Sequence, residues 1–133
     1  MTSTTATPPT VQVDPRHAAQ ELRRLDQEAV DRIVWGMVVA GLESAVELAE
    51  LATEEAGFGV FEDKVIKNYI AIEFLWDFLK DKRTVGVIDE DPERHIQYVA
   101  EPIGIVLALL PITNPTSTAL FKGIVAAKTR NAI

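Results

Sequence analysis

The residues of this chain best suited to chemistry lie between positions 109 and 118. Thr113, Thr116, Ser117 and Thr118 supply small hydroxyls and Asn114 an amide, around a turn bracketed by Pro111 and Pro115. The apolar run Ile103-Gly-Ile-Val-Leu-Ala-Leu-Leu110 leads into this turn, and a helix-like pattern leads out of it. In open α/β sheets, ligands bind where strands end and the next helix offers unpaired N–H groups, so a polar cofactor could be met here. Neither a Gly-x-Gly-x-x-Gly nor a Walker-type lysine motif accompanies the turn. The residues alone therefore leave two readings open: part of a nucleotide site, or a polar strand-to-helix connection with no ligand.

Other chemistries find little support. There is no cysteine, which excludes a disulfide framework, a thiolate zinc site and any thiol nucleophile within these residues. His17 and His95 are far apart and lack ligand-spaced partners, so no metal site is expected. Glu43, Glu47, Glu50 and Glu54 recur along one side of a helical pattern. No basic residue converges on them, and a solvated acidic face is the reading preferred over a metal or acid–base site. The net charge of -7 argues against a nucleic-acid surface, which needs clustered Lys and Arg. For the same reason Phe74, Trp76 and Phe78 are read as core rather than as a platform for stacked bases. Lys128 and Arg130 fall at the end of a helix, where positive charge favours the exposed carbonyls. Phosphate ligation by these two is the alternative.

The elements that would position the turn follow from periodicity and end signals. With 133 residues, 47% hydrophobic and 25% charged, the chain suits one modest soluble domain or part of a larger one. Residues 1–13 are rich in Thr and Pro and read as a flexible tail without the features of a signal peptide. The run at 103–110 is far shorter than the ~20 residues of a membrane span. No membrane association is expected, and the location is expected to be cytoplasmic. Asp14-Pro15 and Asp26 are helix starts. Val30, Ile33, Val34, Met37, Val38 and Gly41 form one apolar helix face, followed by a second helix over 42–56 ended by Gly57 and Gly59. Residues 61–81 are apolar on more than one stripe, predicting a helix contacted on two sides. Residues 84–88 and 95–99 have strand composition around a polar turn, predicting a hairpin that lies on another surface. The segment 103–110 reads as a parallel strand buried on both faces, and 115–130 as a helix capped by Asn114 or Thr113. Residues 131–133 resume a strand, so a βαβ unit is begun and its domain is expected to be unfinished.

Three segments carry a family resemblance: Gly59-Val-Phe-Glu-Asp-Lys-Val-Ile-Lys-Asn68; Ala100-Glu-Pro-Ile-Gly-Ile105; and Pro111-Ile-Thr-Asn-Pro-Thr-Ser-Thr-Ala-Leu-Phe-Lys122, continued by Lys128-Thr-Arg-Asn-Ala-Ile133. In order and spacing they resemble the N-terminal part of the CoA-acylating aldehyde dehydrogenase domain of bifunctional aldehyde–alcohol dehydrogenases, over roughly residues 25–133. Asn114 with Pro115 also occurs in standalone acylating aldehyde dehydrogenases. The resemblance implies an α/β fold: a helical layer over 14–82, an oligomerisation β-hairpin over 83–101, and the start of a Rossmann-like NAD-binding domain over 102–133, truncated.

The same resemblance implies an NAD-dependent, reversible conversion of acyl-CoA and NADH to aldehyde, NAD and free CoA, with coenzyme A as co-substrate. In such enzymes a cysteine thiolate attacks the acyl carbon and hydride passes at the same centre. Leu109, Leu110, Pro111, Ile112, Thr113 and Asn114 would line the dinucleotide site, with Thr113 or Asn114 on the oxyanion side. The nucleophilic cysteine falls outside these residues, so the chain by itself is expected to be inactive. A homo-oligomer is the expected partner state, with the acyl-CoA or aldehyde as substrate. Two rival readings are a non-catalytic product acting through interaction surfaces and an unrelated helical binding module, the latter disfavoured by the quoted motifs.

Overall fold

The computed structural model describes residues 13–133. The tail expected over 1–13 therefore lies outside the described residues, apart from an exposed Val13. Both aspartate start signals operate as read. Asp14 accepts a hydrogen bond from the Arg16 N–H at 2.9 Å and opens α1 (Pro15–Arg23), with Pro15 in its first turn. Asp26 accepts from the Ala29 N–H at 2.8 Å and opens α2 (Gln27–Glu43). The chain turns at Ser44 into α3 (Ala45–Ala56), which ends on Gly57 at φ 58, where a β-carbon would be strained. Then come α4 (Phe61–Leu79), β1 (Gly86–Asp91), β2 (Ile96–Ala100) and α5 (Pro115–Lys128).

The core is a packing of α2, α4 and α5 around Val30, Val34, Val38, Ile72, Leu75, Leu79 and Ile124. α3 joins through small residues, Ala45, Ala49 and Ala52, which allow a close approach to α4. Gly41 is where α2 meets the other two helices. A β-carbon there would stand 3.0 Å from Ile72 Cδ1 and 3.1 Å from Leu120 Cδ2. The outer face of α4 differs from expectation: Ile66, Ile70, Phe74 and Phe78 are exposed, so the helix is packed on one side only. Hydropathy registered a second apolar stripe but could not say what covers it.

The hairpin is antiparallel as expected, with its ends moved by about two residues. β1 runs on through Asp89 and Glu90 to Asp91, past an irregularity between Val87 and Asp89. A two-stranded ribbon open to water tolerates such charges, and Gln97 Nε2 donates to Glu90 Oε1 at 2.8 Å. His95, at φ 55, returns the chain.

Residues 103–110 depart most from the sequence reading. The parallel pairing exists as a single bridge between Ile105 and Ala132, held by Ala132 N–H to the Gly104 carbonyl at 2.9 Å and Val106 N–H to the Ala132 carbonyl at 2.8 Å. No buried strand forms: Ile103 and Leu107 are each 88% exposed, and Leu109 is also exposed. Burial on both faces needs a layer on each side, and among the described residues only α5 lies against this segment.

Lys128 and Arg130 are also not helix-end charges facing water. Lys128 is fully buried and donates to Asp31 Oδ1 at 2.5 Å, while Asp31 also accepts from Gln27 Nε2 at 2.9 Å. Gln27 Oε1 in turn accepts from Thr84 N–H at 2.7 Å, and Thr84 Oγ1 donates to the Lys128 carbonyl at 2.6 Å, closing a ring across α2, α5 and the approach to β1. Arg130 donates to the carbonyls of Arg23, at 2.9 Å, and Ala100, at 3.0 Å. Asn131 Oδ1 accepts from Gly104 N–H at 2.8 Å. The Lys-Thr-Arg-Asn run is thus a clasp joining α1, α2, the hairpin and the 103–106 segment. Lys128 pairs with the Asp31 carboxylate, and Arg130 satisfies two backbone carbonyls with charge-assisted hydrogen bonds.

Candidate functional site

The turn before α5 rests on two supports. Lys122 Nζ, two turns along α5, donates to the Leu109 carbonyl at 2.7 Å and draws the entering chain onto the helix. On the opposite side Asn68, buried in α4, donates from Nδ2 to the Ala45 carbonyl at 2.8 Å and accepts from Thr116 Oγ1 at 2.9 Å. The first turn of α5 is thereby tied to both α3 and α4. Asn68 lies one helical turn from Ile72 on the same face, so its position in the resembling segment reflects packing.

Asn114 occupies the N-cap position of α5 but does not cap it with its side chain, nor does Thr113. This corrects the expected cap. With φ -141 and ψ 58, the Asn114 backbone carbonyl starts the helix, accepting from Thr118 N–H at 3.2 Å, and Pro115 in the first turn has no N–H to satisfy. The side-chain amide is left free for other work. Its Nδ2 is 3.5 Å from Thr113 Oγ1, at the limit of a hydrogen bond, and its Oδ1 is buried with no partner. The amide is thus held only at its Nδ2, and only at that limiting distance.

Around it lies an open groove of about 330 Å³ lined by Lys67, Ile70 and Ala71 of α4 and by Asn114, Ser117, Thr118 and Phe121. Thr113, Leu109, Leu110, Pro111 and Ile112 are exposed on the turn itself. A second groove, of about 300 Å³, runs between residues 103–108 and α5. The turn thus offers an amide donor, two hydroxyls, the unpaired N–H groups of a helix start and an apolar rim. That set suits a polar group attached to an apolar or planar body, a fit for part of a nucleotide cofactor. Lys67 and Lys122 were not legible as site-adjacent from sequence, because their closeness depends on how α4 and α5 lie side by side.

Elsewhere, Glu43, Glu47, Glu50 and Glu54 all face solvent. Among the described residues, no helix is long and apolar enough to cross a membrane.

Over 118 residues, 89% of its length, the chain is 44% identical to the bifunctional aldehyde-alcohol dehydrogenase of Escherichia coli. Over 116 residues it is 42% identical to a succinate-semialdehyde dehydrogenase (acetylating) of Clostridium kluyveri. The structure superposes on that of an acetylating aldehyde dehydrogenase from Geobacillus thermoglucosidasius with a TM-score of 0.86 and 43% identity over 88% of the chain. The chain is homologous to the N-terminal region of the acetylating aldehyde dehydrogenases. The five helices and antiparallel hairpin of the described residues are the α/β arrangement of that fold. It spans 13% of the Escherichia coli protein and 26% of each of the other two. No family model matches the sequence.

Proposed function

We propose that these residues serve an NAD-dependent acylating aldehyde dehydrogenase, contributing the wall of the cofactor and oxyanion site that precedes α5. The observation that carries the reading is the Asn114 amide, which does not cap its helix and whose Nδ2 reaches only Thr113 Oγ1 at the 3.5 Å limit of a hydrogen bond, in a chain homologous to such enzymes. NAD, when bound, supplies the hydride acceptor. Leu109, Leu110, Pro111, Ile112, Thr113 and Asn114 would border it. The Asn114 Nδ2 or the Thr113 hydroxyl would donate to the oxygen that gains charge when a thiol adds to the aldehyde or acyl carbon. Coenzyme A is the co-substrate, and the β1–β2 hairpin is an oligomerisation element. None of the 133 residues is a cysteine, so these residues provide position and charge stabilisation rather than the nucleophile.

The test is a chimera in which these residues replace the matching N-terminal stretch of the Escherichia coli relative. It should oxidise NADH in the presence of acetyl-CoA. Asn114→Ala or Thr113→Ala, whichever residue is the donor, should lower kcat by about 10²–10³-fold, as loss of one oxyanion donor does. Both variants retaining full kcat would remove the proposed role. The 133-residue polypeptide alone should release no CoA from acetyl-CoA above a heat-treated control.

A further inference from the structure

α4 contains a second buried lysine, and unlike Lys128 it has no counter-charge. Lys64 is 5% exposed, and its Nζ is sealed from solvent with no hydrogen-bond partner. A buried ammonium left unpaired is strongly unfavourable, whereas the same group in contact with an anion is not. Its position shows where an anion would come from. The side chain folds back toward the start of its own helix: a β-carbon built on Gly59 would lie 3.2 Å from Lys64 Cε and 3.6 Å from Nζ. Glycine is favoured there by its φ of 87, and a β-carbon would in addition crowd the end of Lys64.

The start of α4 also carries N–H donors that no side chain caps. The helix is 19 residues long, and Val60 at its N-cap position supplies no side-chain acceptor. The first-turn N–H groups therefore lack the cap that Asp26 gives α2. The nearby carboxylates, Glu54 and Glu55 on α3 and Glu62 and Asp63 on α4, are all exposed, and none pairs with Lys64. Solvent screens them, so they disfavour distant attraction more than direct contact. The turn over residues 57–60, which lies against the end of Lys64, is exposed at every position.

We propose that Lys64 Nζ and the first-turn N–H groups of α4, beneath the turn at 57–60, form a binding site for a small oxoanion, a phosphoryl or carboxylate group. This site lies apart from the Asn114 groove, whose lining does not include Lys64, and does not depend on the function proposed above.

The experiment uses the 133-residue chain in inorganic phosphate, in acetate and in sodium chloride at one ionic strength. Thermal unfolding and hydrogen-exchange mass spectrometry are read in each. Phosphate, acetate or both should raise the midpoint over chloride by about 3–6 °C near saturation and slow exchange in peptides covering 57–64. Phosphate alone acting assigns a phosphoryl ligand; acetate acting equally well assigns a carboxylate. Lys64→Met should unfold at a higher temperature than the parent in chloride, because an unpaired buried charge has been removed, and should lose the anion response. Should that variant not fold, Gly59→Ala, which crowds Cε, should weaken the response instead. Equal midpoints and equal exchange in all three salts would overturn the proposal. So would an anion response that persists in Lys64→Met, or protection confined to other peptides.

Discussion

At the scale of single residues, the chain places its polar side chains where the backbone needs partners. Lys128, Asp31, Gln27 and Thr84 form a closed ring in which each member satisfies another. Replacing Lys128 with Met would strand Asp31 beside an apolar group. Asp31 keeps 37% of its side chain exposed, so water recovers part of the loss. The expected destabilisation is about 2–3 kcal/mol, below the 3–5 typical of fully buried pairs. Urea unfolding would measure it, and the double variant Lys128→Met, Asp31→Leu should recover much of it. A single variant as stable as the parent would show that the ring contributes nothing net. The residue types at these positions were plain in the sequence, and the presence of a clasp was not. Lys128 and Arg130 sit where a helix-end role is the economical reading, and only the packing of α2 on α5 brings Asp31 within reach.

At the scale of elements, helix starts were the most legible feature because they are local. Asp14 with Pro15, and Asp26, act through side-chain bonds to N–H groups two and three residues on. The hairpin ends were less so, since a solvated ribbon accepts the acidic residues that composition assigned to the turn. What docks the hairpin and α1 onto the helices is Arg130, through the carbonyls of Ala100 and Arg23. Arg130→Ala should cost about 1.5–3 kcal/mol, the range of hydrogen bonds to a charged donor. It should also free the amides of β2 and the end of α1 to exchange faster while those of α2 and α4 keep their protection. Hydrogen exchange read by mass spectrometry distinguishes this from general loosening. Uniform acceleration would mean that Arg130 supports the core rather than the docking.

At the scale of the whole molecule, two apolar surfaces face water: residues 103–112, and the α4 stripe of Ile66, Ile70, Phe74 and Phe78. The first pairs with other backbone only at the Ile105–Ala132 bridge, with side-chain bonds at Gly104 and Leu109, and it exposes apolar side chains along its length. Surfaces of this kind associate. The purified 133-residue chain should therefore elute as an oligomer in size-exclusion chromatography with light scattering. A single species of the chain mass, 14.6 kDa, would contradict this.

The sequence by itself determined the order of helices and hairpin, the solvated glutamates at the end of α2 and along α3, and the polar turn with Asn114 at the head of a helix. Each depends on neighbours within a few positions, through side-chain periodicity or capping. The tertiary structure decided what long-range contact controls. It placed Lys128 in the core, turned the Lys-Thr-Arg-Asn run into a clasp and left the 103–110 segment uncovered. It also left the Asn114 amide out of its expected cap, and tied the first turn of α5 to Asn68 and the chain before it to Lys122. Burial and pairing are properties of the surface that meets a residue, and that surface is built from residues tens of positions away.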